Sequence, residues 1–241
     1  MNKILITTLC LICTSFYAKA SVQVELNGST YQFTVNPRLT EVLAPVALKS
    51  DWYWPASQIF KLGSADIEST RLELINKLAE KGKGAGKHKK AFQNTINQVK
   101  SWQLAKRIKM EVDFDFARFS LAHNPQFEDG RYVIALSERK TALTIFGALE
   151  ESRKIEYKDN QCIQDVISQY NKSAYAEEDF VYVIYPNTQV YKMPVAYWNK
   201  ECSQVMPGSQ IFIPFREFQF LSEIEQLNWA IANLAINRMD V

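Results

Sequence analysis

The chain has little histidine, little cysteine and no surplus of charge, and each shortage removes a class of function. Two histidines stand in 241 residues. His88 and His123 lie far apart and lack Cys or His companions at metal-ligand spacing. Neither a metal centre nor a Ser-His-Asp set is therefore indicated. No Gly-x-Ser-x-Gly elbow occurs, which a hydrolase of that type would need. Lysine and arginine number 28 against 26 acidic residues, so no global basic character suggests nucleic acid as a partner. No apolar run reaches the roughly 20 residues of a membrane-spanning helix. Nothing in the pattern points to a cofactor or to catalysis.

What apolar run there is stands at the start. Lys3, the stretch Ile4 to Tyr17 and Ala18-Lys19-Ala20 form a basic end, an apolar middle and a small-x-small cleavage site. Residues 1–20 are thus expected to be a secretory signal peptide. Cys10 and Cys13 lack the small residues that precede a lipidated cysteine. Removal of Lys3 and Lys19 leaves 26 basic and 26 acidic residues, in a chain starting at Ser21 outside the cytoplasm. Cys162 and Cys202 then form a candidate disulfide, with two buried free thiols as the alternative.

The remaining chain reads as α+β. Ser21 to Leu26 and Thr30 to Val35 alternate around Asn27-Gly28, a hairpin signal. Pro37 to Leu43 is a short helix opening at a proline. Ser64 to Lys81 and Lys89 to Ala105 carry apolar residues at helical spacing. Strands are expected at Ile108 to Phe114 and Arg131 to Leu136. The rhythm then repeats, with a hairpin at Thr141 to Tyr157, a helix at Gln161 to Tyr170, and strands at Phe180 to Tyr185, Gln189 to Val195 and Gln210 to Ile213. Hairpin, helix and further strands is the order of a β-grasp unit. The expectation is two β-grasp domains, 21–139 and 140–215. The first holds a helical insertion at about 64–105, and a C-terminal amphipathic helix occupies 216–241.

Few groups could carry chemistry. Gly82-Lys-Gly-Ala-Gly-Lys87 has the wrong spacing for a phosphate loop and follows a helix. Its lysines read as a solvated linker or as a patch for an anionic polymer or lipid headgroup. Asp113 and Asp115, on a strand, share one face, which admits a carboxylate pair for glycoside hydrolysis, with Glu111 nearby, or a strand end with surface acids. Trp52-Tyr-Trp54-Pro55 is a core plug or a sugar-stacking platform.

The last helix is sharper. Ser222-x-x-Glu225 is a capping box. Ile224, Leu227, Ile231 and Leu234 form one stripe, and Trp229 and Ile236 fall almost opposite. A helix docked on its own domain needs one apolar face, and this one has two. It is either sandwiched in a core, packed in a homodimer, or a docking element for another subunit, a membrane surface or an export pore.

Val190 to Lys200 with its Ala-Tyr-Trp-Asn-Lys, then Pro207-Gly-Ser-Gln210 and the final helix, resemble the GfcC family of group 4 capsule proteins. Trp52 to Pro55, Arg107-Ile-Lys-Met-Glu-Val-Asp113 and Gly130-Arg-Tyr extend the likeness over the chain. The resemblance implies a periplasmic, non-enzymatic protein of two β-grasp domains similar to those of the polysaccharide exporter Wza. It implies a role in capsule assembly or export, with polysaccharide or export machinery as partner and outer-membrane association through the last helix. It also implies a binding pocket at Arg107, where Lys106 replaces the family's usual preceding glycine. By its own chemistry, the Arg107 fork suits carboxylates of acidic sugars. The alternative is a structural arginine pairing Asp113, Asp115 or a backbone carbonyl.

Overall fold

A computed structural model describes residues 22–83, 87–139, 142–196, 198, 202–216 and 222–239. The expected signal peptide, the centre of the glycine-rich loop and residues 217–221 lie outside them. The described chain forms two five-stranded sheets and six α-helices.

The first sheet comes from β1 (Val22–Leu26), β2 (Ser29–Phe33), β3 (Gln58–Lys61), β4 (Lys106–Ile108) and β5 (Gly130–Ala135), in the order β2-β1-β5-β3-β4. The second comes from β6 (Ala142–Gly147), β7 (Arg153–Glu156), β8 (Phe180–Ile184), β9 (Val190–Pro194) and β10 (Gln210–Ile213), in the order β7-β6-β10-β8-β9. Each has one parallel pair, β1 with β5 and β6 with β10, and antiparallel neighbours elsewhere. The two units therefore share one β-grasp-like topology.

Local chemistry explains the first hairpin. Asn27 and Gly28 both take positive φ, at 46° and 80°, which the tight turn requires and which these two residue types tolerate. The Asn27 side chain also accepts the amide N–H of Leu136 at 2.9 Å, tying the turn to the strand beside it.

The helices are α1 (Leu39–Leu43), α2 (Ala65–Lys81), α3 (Lys87–Ser101), α4 (Phe114–Phe119), α5 (Ile163–Ser168) and α6 (Ser222–Ala235). Leu39, Val42 and Leu43 of α1 join Val22, Val24, Leu26 and Ile134 in the first core. The second core contains Ile163, Val166 and Ile167 of α5. It also takes Leu74 and Leu78 of α2, Phe92, Ile96 and Val99 of α3, and the stripe of α6. The hairpin α2–α3 interrupts the first unit in sequence but packs on the second in space.

Polar contacts fix that packing. The Gln98 side chain donates to the Gly147 carbonyl at 3.1 Å and accepts its amide N–H at 2.9 Å. The fully buried Asn228 does the same for Phe215, accepting from its N–H at 3.0 Å and donating to its carbonyl at 2.8 Å. Both side-chain amides thus satisfy backbone groups that would be costly to bury unpaired. Lys81 pairs with Glu223 and Lys90 with Glu150, so two lysines of the basic stretch meet acids of the second unit.

The two-faced helix is explained without an outside partner. Ile224, Leu227, Ile231 and Leu234 are buried, Trp229 lies 4.9 Å from the ring of Tyr182, and Ile236 packs partly buried against the same core. Contacts run from α6 to both α2 and β8. Of the expected alternatives, this is the helix sandwiched within its own core, with Trp229 of the second face packed on β8.

Candidate functional site

The strand expected at 108–114 is short. β4 ends at Ile108, and Asp113 starts α4 as its N-cap. One carboxylate oxygen of Asp113 accepts the amide N–H groups of Asp115 at 2.9 Å and Phe116 at 3.0 Å. Such a cap satisfies two donors that the first turn leaves open. Asp113 and Asp115 therefore share no strand face. Asp115 is exposed, 3.9 Å from Arg118, and Glu111 lies 3.6 Å from His123. The three acids do not form a facing pair.

Arg107 and Asp113 do line one cavity, of about 540 Å³, together with Trp54, Phe116, Thr188 and Met206. Its walls come from both units. β3 was not anticipated from the sequence, since four residues between Pro55 and Gly63 show little periodicity. It pairs with β4 in the register Phe60↔Arg107, which sets the guanidinium carbon 5.0 Å from the centre of the Phe60 ring. The β8–β9 turn brings up the opposite wall. There Pro186 presents its carbonyl, and Thr188 holds φ at 75°, an uncommon conformation for a β-branched residue.

Arg107 joins these walls. Its Nη2 donates to the Pro186 carbonyl at 2.7 Å and to the Ser57 carbonyl at 3.3 Å. Its backbone N–H donates to the Asn237 side chain at 3.0 Å. Nε, also buried, has no partner among the described residues, and no described carboxylate pairs with the group. Burial away from water lowers its pKa to about 10, so the side chain stays charged at neutral pH. A buried cation held by neutral carbonyls alone is incompletely compensated, and the residue lines the cavity wall.

The tail after α6 braces this arrangement. The Ala105 N–H donates to the Asn237 carbonyl at 3.0 Å, and the Met239 N–H to the Gln103 carbonyl at 2.9 Å. Arg238 lies 4.9 Å over the Trp102 ring and donates to Gln210 at 2.9 Å. Asn237 and Pro186, which position Arg107, carried no sequence signal, because both act through contacts about 130 and 79 residues away.

Trp52 and Trp54 both pack half-buried on the first core, and Trp52 donates to the Val46 carbonyl at 2.9 Å. Trp54 also lines the cavity, so the aromatic segment serves core and cavity wall together. Cys162 and Cys202 are joined by a disulfide. Among the described residues, no cluster of three or more His, Cys, Asp or Glu could hold a metal ion. None of the helices among them is long and apolar enough to cross a membrane.

Residues 18–139 match the family model described as capsule biosynthesis GfcC, N-terminal, and residues 151–240 match the one described as capsule biosynthesis GfcC C-terminal. The chain is also similar to the uncharacterized protein YjbG of Escherichia coli (strain K12). The two are 26% identical over 229 residues, which cover 93% of each chain.

Proposed function

The chain belongs to the GfcC family of capsule biosynthesis proteins, and from that premise we propose that it holds an acidic stretch of the capsular glycan in the cleft beside Arg107. The action is binding in aid of assembly or export, not catalysis. The observation that carries this reading is the guanidinium at the cavity wall, held by two backbone carbonyls and with no carboxylate partner among the described residues. A uronate carboxylate would supply the missing charge, and a planar fork suits its two oxygens. Trp54 and Phe116 give apolar surface for the sugar ring.

The Cys162–Cys202 bond supports placement in an oxidising compartment, such as the periplasm. Because α6 is covered within the chain, contact with export machinery or the outer membrane would use some other surface.

Titration with a uronic-acid tetrasaccharide tests the cleft. Arg107→Gln should weaken binding by about tenfold or more, the scale of a charge-assisted hydrogen bond. Thermal unfolding would verify that the variant is folded. Affinity should hold through the neutral range and decline only where Arg107 loses its proton, at a pH of about 10 or above. Equal affinity of the two proteins would remove the cleft from the account.

A further inference from the structure

A larger cavity, of about 830 Å³, opens in the second unit, and its lining is chemically unlike that of the Arg107 cleft. Both disulfide cysteines are in its wall. Cys162 is the N-cap residue of α5, so the bond ties that helix to the segment following β9, where Trp198 stands. The backbone carbonyl of Asp179 accepts the N–H groups of Val195 at 2.8 Å and Ala196 at 3.1 Å, which holds the start of the same segment.

Trp198 lines this cavity and is nevertheless 73% exposed. The other four tryptophans are buried or half-buried. A bare indole at the edge of a concave site offers a flat face whose negative quadrupole attracts polarised C–H groups. The polar lining completes the pattern. Asp165 and Asp179 are exposed carboxylates that accept hydrogen bonds. Lys172 is half-buried and makes no ion pair with a described residue, and desolvation lowers its pKa. Glu178 also lines the cavity but is held by Arg216 at 2.5 Å. Acids outnumber the one lining cation, so an anionic polymer segment would be repelled. A neutral sugar would not be. It presents one C–H face to an aromatic ring, and its hydroxyls both donate to carboxylates and accept from an ammonium.

We propose that this groove is a second glycan-contact site, taking a neutral sugar stacked on Trp198 with its hydroxyls on Asp179 and Lys172. The identity of the occupant as a glycan rests on the function proposed above, whereas the groove's preference for an uncharged ring rests on its own lining. A polymer with acidic and neutral residues would then touch the protein at two chemically distinct places.

The two sites carry separate reporters, since Trp54 lines the Arg107 cleft and Trp198 this groove. Indole N–H signals of the purified protein, assigned with Trp54→Phe and Trp198→Phe, would be followed during three titrations. The probes are neutral tetrasaccharides of glucose, galactose or mannose, a uronic-acid tetrasaccharide, and tetralysine. At least one neutral sugar is expected to move Trp198 and not Trp54. Trp198→Ala and Asp179→Asn should each weaken that binding by about tenfold, and Arg107→Gln should leave it unchanged. Failure of every neutral sugar to move Trp198 overturns the groove, as does a response of Trp198 to tetralysine alone. Movement of Trp54 by the uronate with Trp198 silent sinks the groove and keeps the proposed function. The reverse pattern sinks the Arg107 reading alone.

Discussion

The two sheets have the same strand order, yet they are covered differently. In β1 of the first unit, Val22, Val24 and Leu26 are buried while Gln23 is half-buried and Glu25 exposed. That alternation leaves one face of β1 open, although Tyr132, Val133 and Ile134 of the central strand β5 are buried in succession. In the second unit, Val181 to Ile184 of β8 and Ile211 to Ile213 of β10 are buried without a break, as happens when both faces are covered. α5 contributes to one core with a layer built from α2, α3 and α6. The first sheet lacks that layer, and the register of β4 instead turns Arg107 toward the second unit. One frame thus has a cleft where its copy has packing.

The comparison can be broken hardest by removing the layer. A chain ending at Arg216 lacks Ile224, Leu227, Ile231 and Leu234, each of which contributes about 1.5–3 kcal/mol by burial. Together these approach the stability of a typical domain. Amide exchange should show β6, β8 and β10 unprotected while β1 and β5 keep their protection. Equal protection in both sheets would mean that the second does not depend on the helical layer.

The next largest effect sharpens the contrast at two glycines. A Cβ on Gly147, with φ at 109°, would lie 2.3 Å from the Ile213 carbonyl oxygen. On Gly130, with φ at 144°, it would lie 3.0 Å from the end of the flexible Lys61 side chain. Gly147→Ala should cost about 4 kcal/mol or more, and Gly130→Ala about 1–2 kcal/mol, from strain alone. Urea unfolding of the two variants measures the difference.

Below these stands the disulfide, which lies wholly within the second unit. It closes a loop of 40 residues, for which chain entropy gives a contribution of about 2–4 kcal/mol. Reduction, or paired Cys→Ser substitution, should lower the unfolding midpoint of the second sheet and leave the first unaffected. The smallest effect belongs to Phe119→Ser on α4. With 84% of Phe119 exposed, stability should stay within about 0.5 kcal/mol of the parent, and a larger loss would reveal a contact absent from this structure.

The repeated topology was legible because alternation and the Asn27-Gly28 turn are local signals. The hairpin α2–α3 was also legible as a pair of helices. Its address was not, since a helical stripe says that a face is buried and not against what. The same gap explains α6, whose two apolar faces looked unpartnered only because one partner lies some 150 residues earlier. At the site, the alternation of Ile108 to Phe114 suggested a strand. Asp113 at the N-cap overrode it, a competition between pleat and cap that spacing alone does not decide. Arg107 was singled out by resemblance, and what makes it unusual, neutral carbonyls from both units and no acid among the described residues, is a property of tertiary structure.

The position of α2 and α3 also has a bearing on how the chain is made. Both helices precede β5, so synthesis delivers them before any strand of the sheet they cover. The first sheet can close once Ala135 has emerged, but Phe92, Ile96, Val99 and Trp102 then have no surface to meet. They must wait for residues 142–239, including α6, the last of the described helices. For that interval the nascent protein carries a finished half and a greasy, unmated pair of helices. A premature stop or a slow stretch of translation late in the message would therefore do more harm than its distance from the Arg107 cleft suggests.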